Sequence, residues 1–72
     1  MEKVTLGYNY IDDKRKQEII DNLEAGKAVN VTSTCIGHTA SAMVKYDAEK
    51  IFTEVGAKVA FTEHGIFDYY TL

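Results

Sequence analysis

The sequence contains no proline, a single cysteine, and no apolar stretch approaching the roughly 18 residues that a membrane span needs. Without proline, a linker-like segment or an internal repeat there is no sign of a domain boundary, so residues 1–72 read as one domain. One cysteine cannot close an internal disulfide, which fits a reducing, cytoplasmic setting. The opening residues MEKVTLG lack the apolar segment of a secretory leader, and no membrane partner is expected. Basic charge is also scarce: eight Lys and Arg stand against eleven Asp and Glu, a formal net charge of −3. The chain therefore lacks a global polyanion-binding signature, and a nucleic-acid contact would need a local basic patch. The only basic run is Lys14-Arg15-Lys16, directly after Asp12-Asp13, whose carboxylates offset most of its field. A solvated first helical turn is its ordinary reading.

What is present is apolar enough to fold. Hydrophobic residues make up 46% and aromatics 11% of the chain, a composition that excludes disorder. A core of this size supplies only about 3–5 kcal/mol, and small domains of this kind gain from self-association, so a homodimer is expected.

Alternation marks the strands. In KVTLGYNYI, Val4, Leu6, Tyr8 and Tyr10 share one face and Lys3, Thr5, Gly7 and Asn9 the other. Asp12 or Asp13 then caps a helix that runs to about Ala25, with Gly26 as its stop and Ile19, Ile20 and Leu23 as a thin apolar stripe. KAVNVTSTCI alternates again, Val29, Val31, Ser33 and Cys35 opposing Asn30, Thr32 and Thr34. Ala40, Val44, Ala48, Ile51, Phe52 and Val55 follow helical spacing, supported by Lys45–Glu49 and Lys50–Glu54 pairs and ended by Gly56. AKVAFTEHGIFDYYTL reads as a hairpin about His64-Gly65; a two-residue loop would set Glu63 against Ile66, Phe61 against Asp68 and Val59 against Tyr70.

The order is βαβαββ, an α/β two-layer sandwich: a four-stranded mixed sheet, three strands parallel and one antiparallel, with both helices on one face. The helix side would carry Val4, Leu6, Tyr8, Val29, Val31, Val59, Phe61, Ile66, Tyr70 and Leu72. The open side would carry small and polar residues, with Phe67 and Tyr69 at the outer strand.

This order, with the strand, glycine-containing turn and alanine-bearing helix of AVNVTSTCIGHTASAMVKYDAEKIFTEVGAKVAF, resembles a group of small folds. The group includes the C-terminal domain of bacterial translation initiation factor three, the archaeal chromatin protein Alba and sporulation stage V protein S. The resemblance spans nearly the whole chain and rests on pattern. It implies binding to RNA or DNA, often as a dimer, with basic residues near the first strand–helix turn at the nucleic acid; the nearest positions here are Lys14, Arg15 and Lys16. The EHGI turn is too short to form the long basic hairpin arm of Alba-like proteins.

Chemistry-bearing residues crowd into TSTCIGHTAS, Thr32 to Ser41. The first amides of a helix starting here lack intrahelical partners and carry the positive end of its dipole. Thr39 can cap one, Gly37 admits a close ligand, and the Thr34, Thr39 and Ser41 hydroxyls with His38 complete an anion cradle for a phosphate-bearing ligand, a nucleic acid or nucleotide. Serine and threonine caps are also ordinary helix starts, and the spacing matches no P-loop, so no cofactor is expected. Cys35 and His38 make only two metal ligands, and as a catalytic pair they lack a nearby acid. Alternation turns Cys35 toward the helices, so the expectation is a binding module, with a small enzyme using Cys35 and His38 as a remote third reading. Asp12 and Asp13 of YIDD are explained by the helix dipole, and His64 by a solvated turn. Phe67 and Tyr69 suit base stacking or, better, a protein interface, and a small interaction or inhibitor protein using that hairpin edge is the alternative function.

Overall fold

The computed structural model describes all 72 residues, Met1–Leu72. Its order is β1 (Lys3–Tyr8), α1 (Asp13–Glu24), β2 (Ala28–Ser33), α2 (His38–Glu54), β3 (Lys58–Glu63) and β4 (Phe67–Thr71), an α/β sandwich with one mixed four-stranded sheet. β1 and β2 pair in parallel, with Val4 beside Val29 and Leu6 beside Val31. The apolar residues of both strands thus share the helix side. There Ile19 and Leu23 of α1 meet Val44, Ala48, Ile51 and Phe52 of α2 over Tyr8 and Val29. The close of each helix is as expected, by Gly26 at φ 82° and Gly56 at φ 74°, left-handed positions that favour glycine.

The sheet order is β1-β2-β4-β3, so the final strand enters the middle of the sheet and β3 forms the edge. The residues account for this placement. β4 presents one large aromatic to each side: Tyr70 stacks on Phe52 at 4.0 Å and 7°, and Tyr69 stacks on Phe61 at 4.9 Å and 16°. A strand that is apolar on both sides is best used inside a sheet, whereas β3 carries Lys58, Thr62 and a bulge, features suited to an edge. Phe67 and Tyr69 accordingly do not lie on the outer strand.

The bulge also changes which residues share a face. Val59 opposes Tyr70 as expected, but Phe61 opposes Tyr69 rather than Asp68, leaving Ala60 as an extra residue. One unpaired residue reverses the side from which the following residues project, so Phe61 stands on the open side instead of under the helices. At the turn, His64 (φ 54°) and Gly65 (φ 71°) are both left-handed, and the Ile66 amide donates to the Glu63 carbonyl at 3.1 Å. The ladder closes at Glu63–Phe67, one residue beyond a two-residue hairpin. Val59, Ile66 and Leu72 are 48%, 73% and 61% exposed where cover was expected.

Other local differences are small. β1 ends at Tyr8, and Tyr10 leaves the apolar face to lie 4.3 Å from the Arg15 guanidinium. Glu54 bonds Lys16 of α1 at 3.2 Å instead of pairing along its own helix with Lys50.

Candidate functional site

Parallel pairing brings the carboxyl ends of β1 and β2 together. The Thr34 amide donates to the Tyr8 carbonyl at 2.9 Å, and the Cys35 thiol is directed at the Asn9 carbonyl at 3.2 Å. Both helices therefore begin at the same end of the sheet, and their two starts are built differently.

The start of α1 is closed. The Asp12 carboxylate accepts the Arg15 amide at 3.0 Å, while its other oxygen accepts from the Arg15 guanidinium at 3.2 Å. The amide first, and the guanidinium with it, hold Asp12 below the ordinary carboxylate range. The start of α2 is open. Gly37 occupies the cap position at φ −81° and ψ 143°, contributes no side-chain bond, and is followed by no acid in the first turn. The first intrahelical bond is Ser41 amide to Gly37 carbonyl at 3.0 Å, so the His38, Thr39 and Ala40 amides have no partner within the chain. Thr39, expected as the cap, falls two residues inside the helix, past the position from which its hydroxyl closes those amides.

The remaining residues of TSTCIGHTAS divide. Ser41 Oγ is turned inward: it donates to the Cys35 carbonyl at 3.2 Å and accepts from Ser33 Oγ at 3.2 Å, while Ser33 Oγ accepts the Cys35 amide at 2.9 Å. These bonds brace the turn and commit Ser41 to structure. Cys35 packs against the core, as its alternation implied. Ile36, Gly37, His38 and Thr39 are exposed.

Thr34 joins a different neighbourhood. With Gly7, Asn9, Lys14, Arg15, Glu18 and Asp21 it lines a groove of about 770 Å³ beside β1 and α1, to which no residue of Gly37–Ser41 contributes. Gly7 faces Thr34 so closely that an added Cβ would lie 3.2 Å from Thr34 Cγ2. In the same groove Tyr8 donates to Glu18, and burial, with that bond, pushes the Tyr8 phenol well above its ordinary value. The run Lys14-Arg15-Lys16 does not form one patch. Arg15 is held by Asp12, Lys16 faces Glu54 in the cleft between the helices, and Lys14 alone lacks an ion-pair partner.

On the open side, Tyr69 is only 7% exposed although no helix covers it. Its hydroxyl shares a 3.1 Å hydrogen bond with Thr5 Oγ1, Phe61 stacks on its ring, and the Lys3 ammonium lies 5.8 Å from the ring centroid. Lys3 pairs with Glu63 above it; that bond raises the Lys3 value and lowers the Glu63 value. Of the expected interface pair, only Phe67 is accessible, 41% exposed with the His64 ring edge-on at 6.3 Å. Phe61, absent from the sequence-derived candidates, belongs to this cluster, and nothing in KVAFTE marks the extra residue that puts it there. No family model, characterised protein or solved structure matches the chain.

Proposed function

We propose that this protein is a small non-enzymatic binding module for a phosphate-bearing ligand, a nucleic acid or nucleotide, held at the β2–α2 turn. The observation that carries the reading is the uncapped start of α2, whose His38, Thr39 and Ala40 amides are unpartnered and unopposed by any acid in the first turn. A phosphate oxygen there completes the cap that Gly37 leaves open, with the Thr39 hydroxyl and the His38 ring at hand. Ser41 supports the turn instead of touching the ligand, and Thr34 lies in the separate groove beside β1 and α1. The resemblance in element order to a group rich in nucleic-acid binders is a second support.

Titration with inorganic phosphate, a nucleoside triphosphate and a short oligonucleotide, followed by amide chemical shifts, tests the reading. The largest changes are expected at His38, Thr39 and Ala40. Shifts confined to the Lys14 groove, or none, would sink it.

A second reading is a protein-interaction or inhibitor module. It is favoured by the exposed apolar pair at the hairpin turn, Ile66 and Phe67. On that reading Phe67→Ala abolishes capture of the partner and leaves the α2 amides and their phosphate response untouched.

A further inference from the structure

The edge of β1 and the outer face of α1 together form a surface that matches itself. Within β1, the Glu2 and Tyr8 carbonyls accept from Ala28 and Thr34 of β2, both at 2.9 Å. In a parallel ladder such bonds recur at every second residue, so Glu2, Val4, Leu6 and Tyr8 bond inward. The intervening Lys3, Thr5 and Gly7 direct their amides and carbonyls outward at a sheet edge that nothing pairs. This edge is regular, unlike β3, whose bulge blunts the other side of the sheet. At the Tyr8 end of this edge, where Gly7, Tyr8 and Asn9 line it, opens a groove whose other wall carries Lys14, Gln17, Glu18 and Asp21, residues spaced to share one face of α1.

We propose that the occupant of this groove is a second copy of the chain, related by a two-fold axis through Thr5. Antiparallel pairing about that axis sets Thr5 against Thr5 of the second copy and Lys3 against Gly7, each a residue with outward-facing backbone groups. A cross-strand Thr–Thr pair is favourable, and Gly7 leaves the long Lys3 side chain unobstructed. On the helix side the same register places Val4 beside Leu6 of the second copy, covering two residues that the edge leaves half-buried.

The charges of α1 carry the argument further. The exposed face is basic at its start, Lys14, and acidic beyond its middle, Glu18 and Asp21. Two antiparallel copies therefore oppose Lys14 to Asp21 twice, with Gln17 and Glu18 meeting at the centre. Thr5 lies about 10 Å from the Tyr8 end of β1 and the midpoint of Gln17 and Glu18 about 7 Å from the Asp13 end of α1, so one axis serves strand and helix if those two ends lie level. The surface is isologous, as a closed dimer requires, and it uses Lys14, the one member of the basic run without an ion-pair partner.

Sedimentation equilibrium from low micromolar to millimolar protein tests the pairing. The wild type is expected to dimerise. Lys14→Glu and Asp21→Lys, each at an exposed position, are each expected to weaken the dimer about tenfold, because every reversal sets like charges together at two symmetry-related places. The double variant Lys14→Glu/Asp21→Lys recreates both attractions and is expected to recover wild-type association. In the dimer, the Thr5 and Gly7 amides exchange more slowly as protein concentration rises. A monomer at every concentration overturns the proposal, and so does a double variant no tighter than the singles. Loss of the dimer in Phe67→Ala with no effect of Lys14→Glu also overturns it, placing the contact on the hairpin instead.

Discussion

Replacing Gly37 by aspartate installs the missing cap of α2 and at the same time fills the space proposed for a phosphate. The backbone accepts the change: φ −81° and ψ 143° are extended values open to any residue, and a Cβ added at Gly37 meets nothing within 4 Å. The new carboxylate reaches the amide two or three residues on. As a cap it contributes a few tenths of a kcal/mol over glycine, and as an anion at the helix start about 0.3–1 kcal/mol more. The sum, about 1 kcal/mol, raises the melting temperature of a domain this size by about 4–8 °C. A ligand present at ten times its dissociation constant stabilises the wild type by about 1.4 kcal/mol through mass action. If the variant carboxylate costs the ligand tenfold in affinity, the same concentration contributes about 0.4 kcal/mol. Circular dichroism melts with and without phosphate, nucleotide or oligonucleotide therefore show Gly37→Asp starting higher and rising less. Gly37→Ala, which adds the Cβ without the carboxylate, changes stability by less than about 1 kcal/mol and keeps the ligand response. A destabilised Gly37→Asp refutes the open-cap geometry, and an undiminished ligand response in it refutes the binding site.

Three further outcomes follow from the packing. Phe52→Ala removes a buried ring stacked on Tyr70 and is expected to cost about 3–5 kcal/mol, as much as the whole stability of so small a domain; urea titration should find the variant largely unfolded. Glu63 is held below its ordinary value chiefly by its bond to Lys3, so its contribution is complete above the ordinary carboxylate range and is lost as pH falls through the lowered value; Glu63→Gln should flatten the acid limb of melting temperature against pH, and an unchanged limb contradicts the pair. Gly7→Ala brings a methyl to 3.2 Å from Thr34 Cγ2, and Thr34→Ser, which deletes that methyl, should relieve the variant by about 0.5–1 kcal/mol more than it alters the wild type in a double-mutant cycle.

The elements that were legible in the sequence are those whose periodicity answers to one local cause. Val44, Ala48, Ile51 and Phe52 fall on one helical stripe because one stripe is buried, and the alternation of β1 and β2 survives intact as an in-register parallel pair. The position of β4 was not legible in the same way. Which strand sits inside a sheet depends on what both of its sides can bury, and Tyr69 and Tyr70 each take a partner far along the chain, Thr5 and Phe52. Phe61 was misplaced for a related reason. A bulge at Ala60 is a property of the pairing between β3 and β4, not of KVAFTE alone, yet it reverses the side on which Phe61 projects.

The candidate site shows the same division at finer scale. TSTCIGHTAS is crowded with hydroxyls, and that crowding pointed correctly to a helix start, yet it is the residue without a side chain that leaves the site open. Had α2 begun two residues later, Thr39 would have capped one of its first amides and left fewer for the proposed anion. Beginning at His38, the helix places Thr39 past the cap position and ties Ser41 back to Ser33 and Cys35. Of the hydroxyls that looked most like ligand groups, Ser41 braces the turn, Thr34 lines a separate groove, and only Thr39 is left at the helix start. The Ser33 and Ser41 bonds hold the Cys35 amide and carbonyl, and on the proposed reading such a braced turn would aim the free amides without help from a ligand. Binding there should then proceed with little ordering of the chain, and amide exchange from Ser33 to Cys35 should be equally slow with and without phosphate. A turn that becomes protected only on adding ligand would mean that the Ser33–Ser41 brace does not preorganise it.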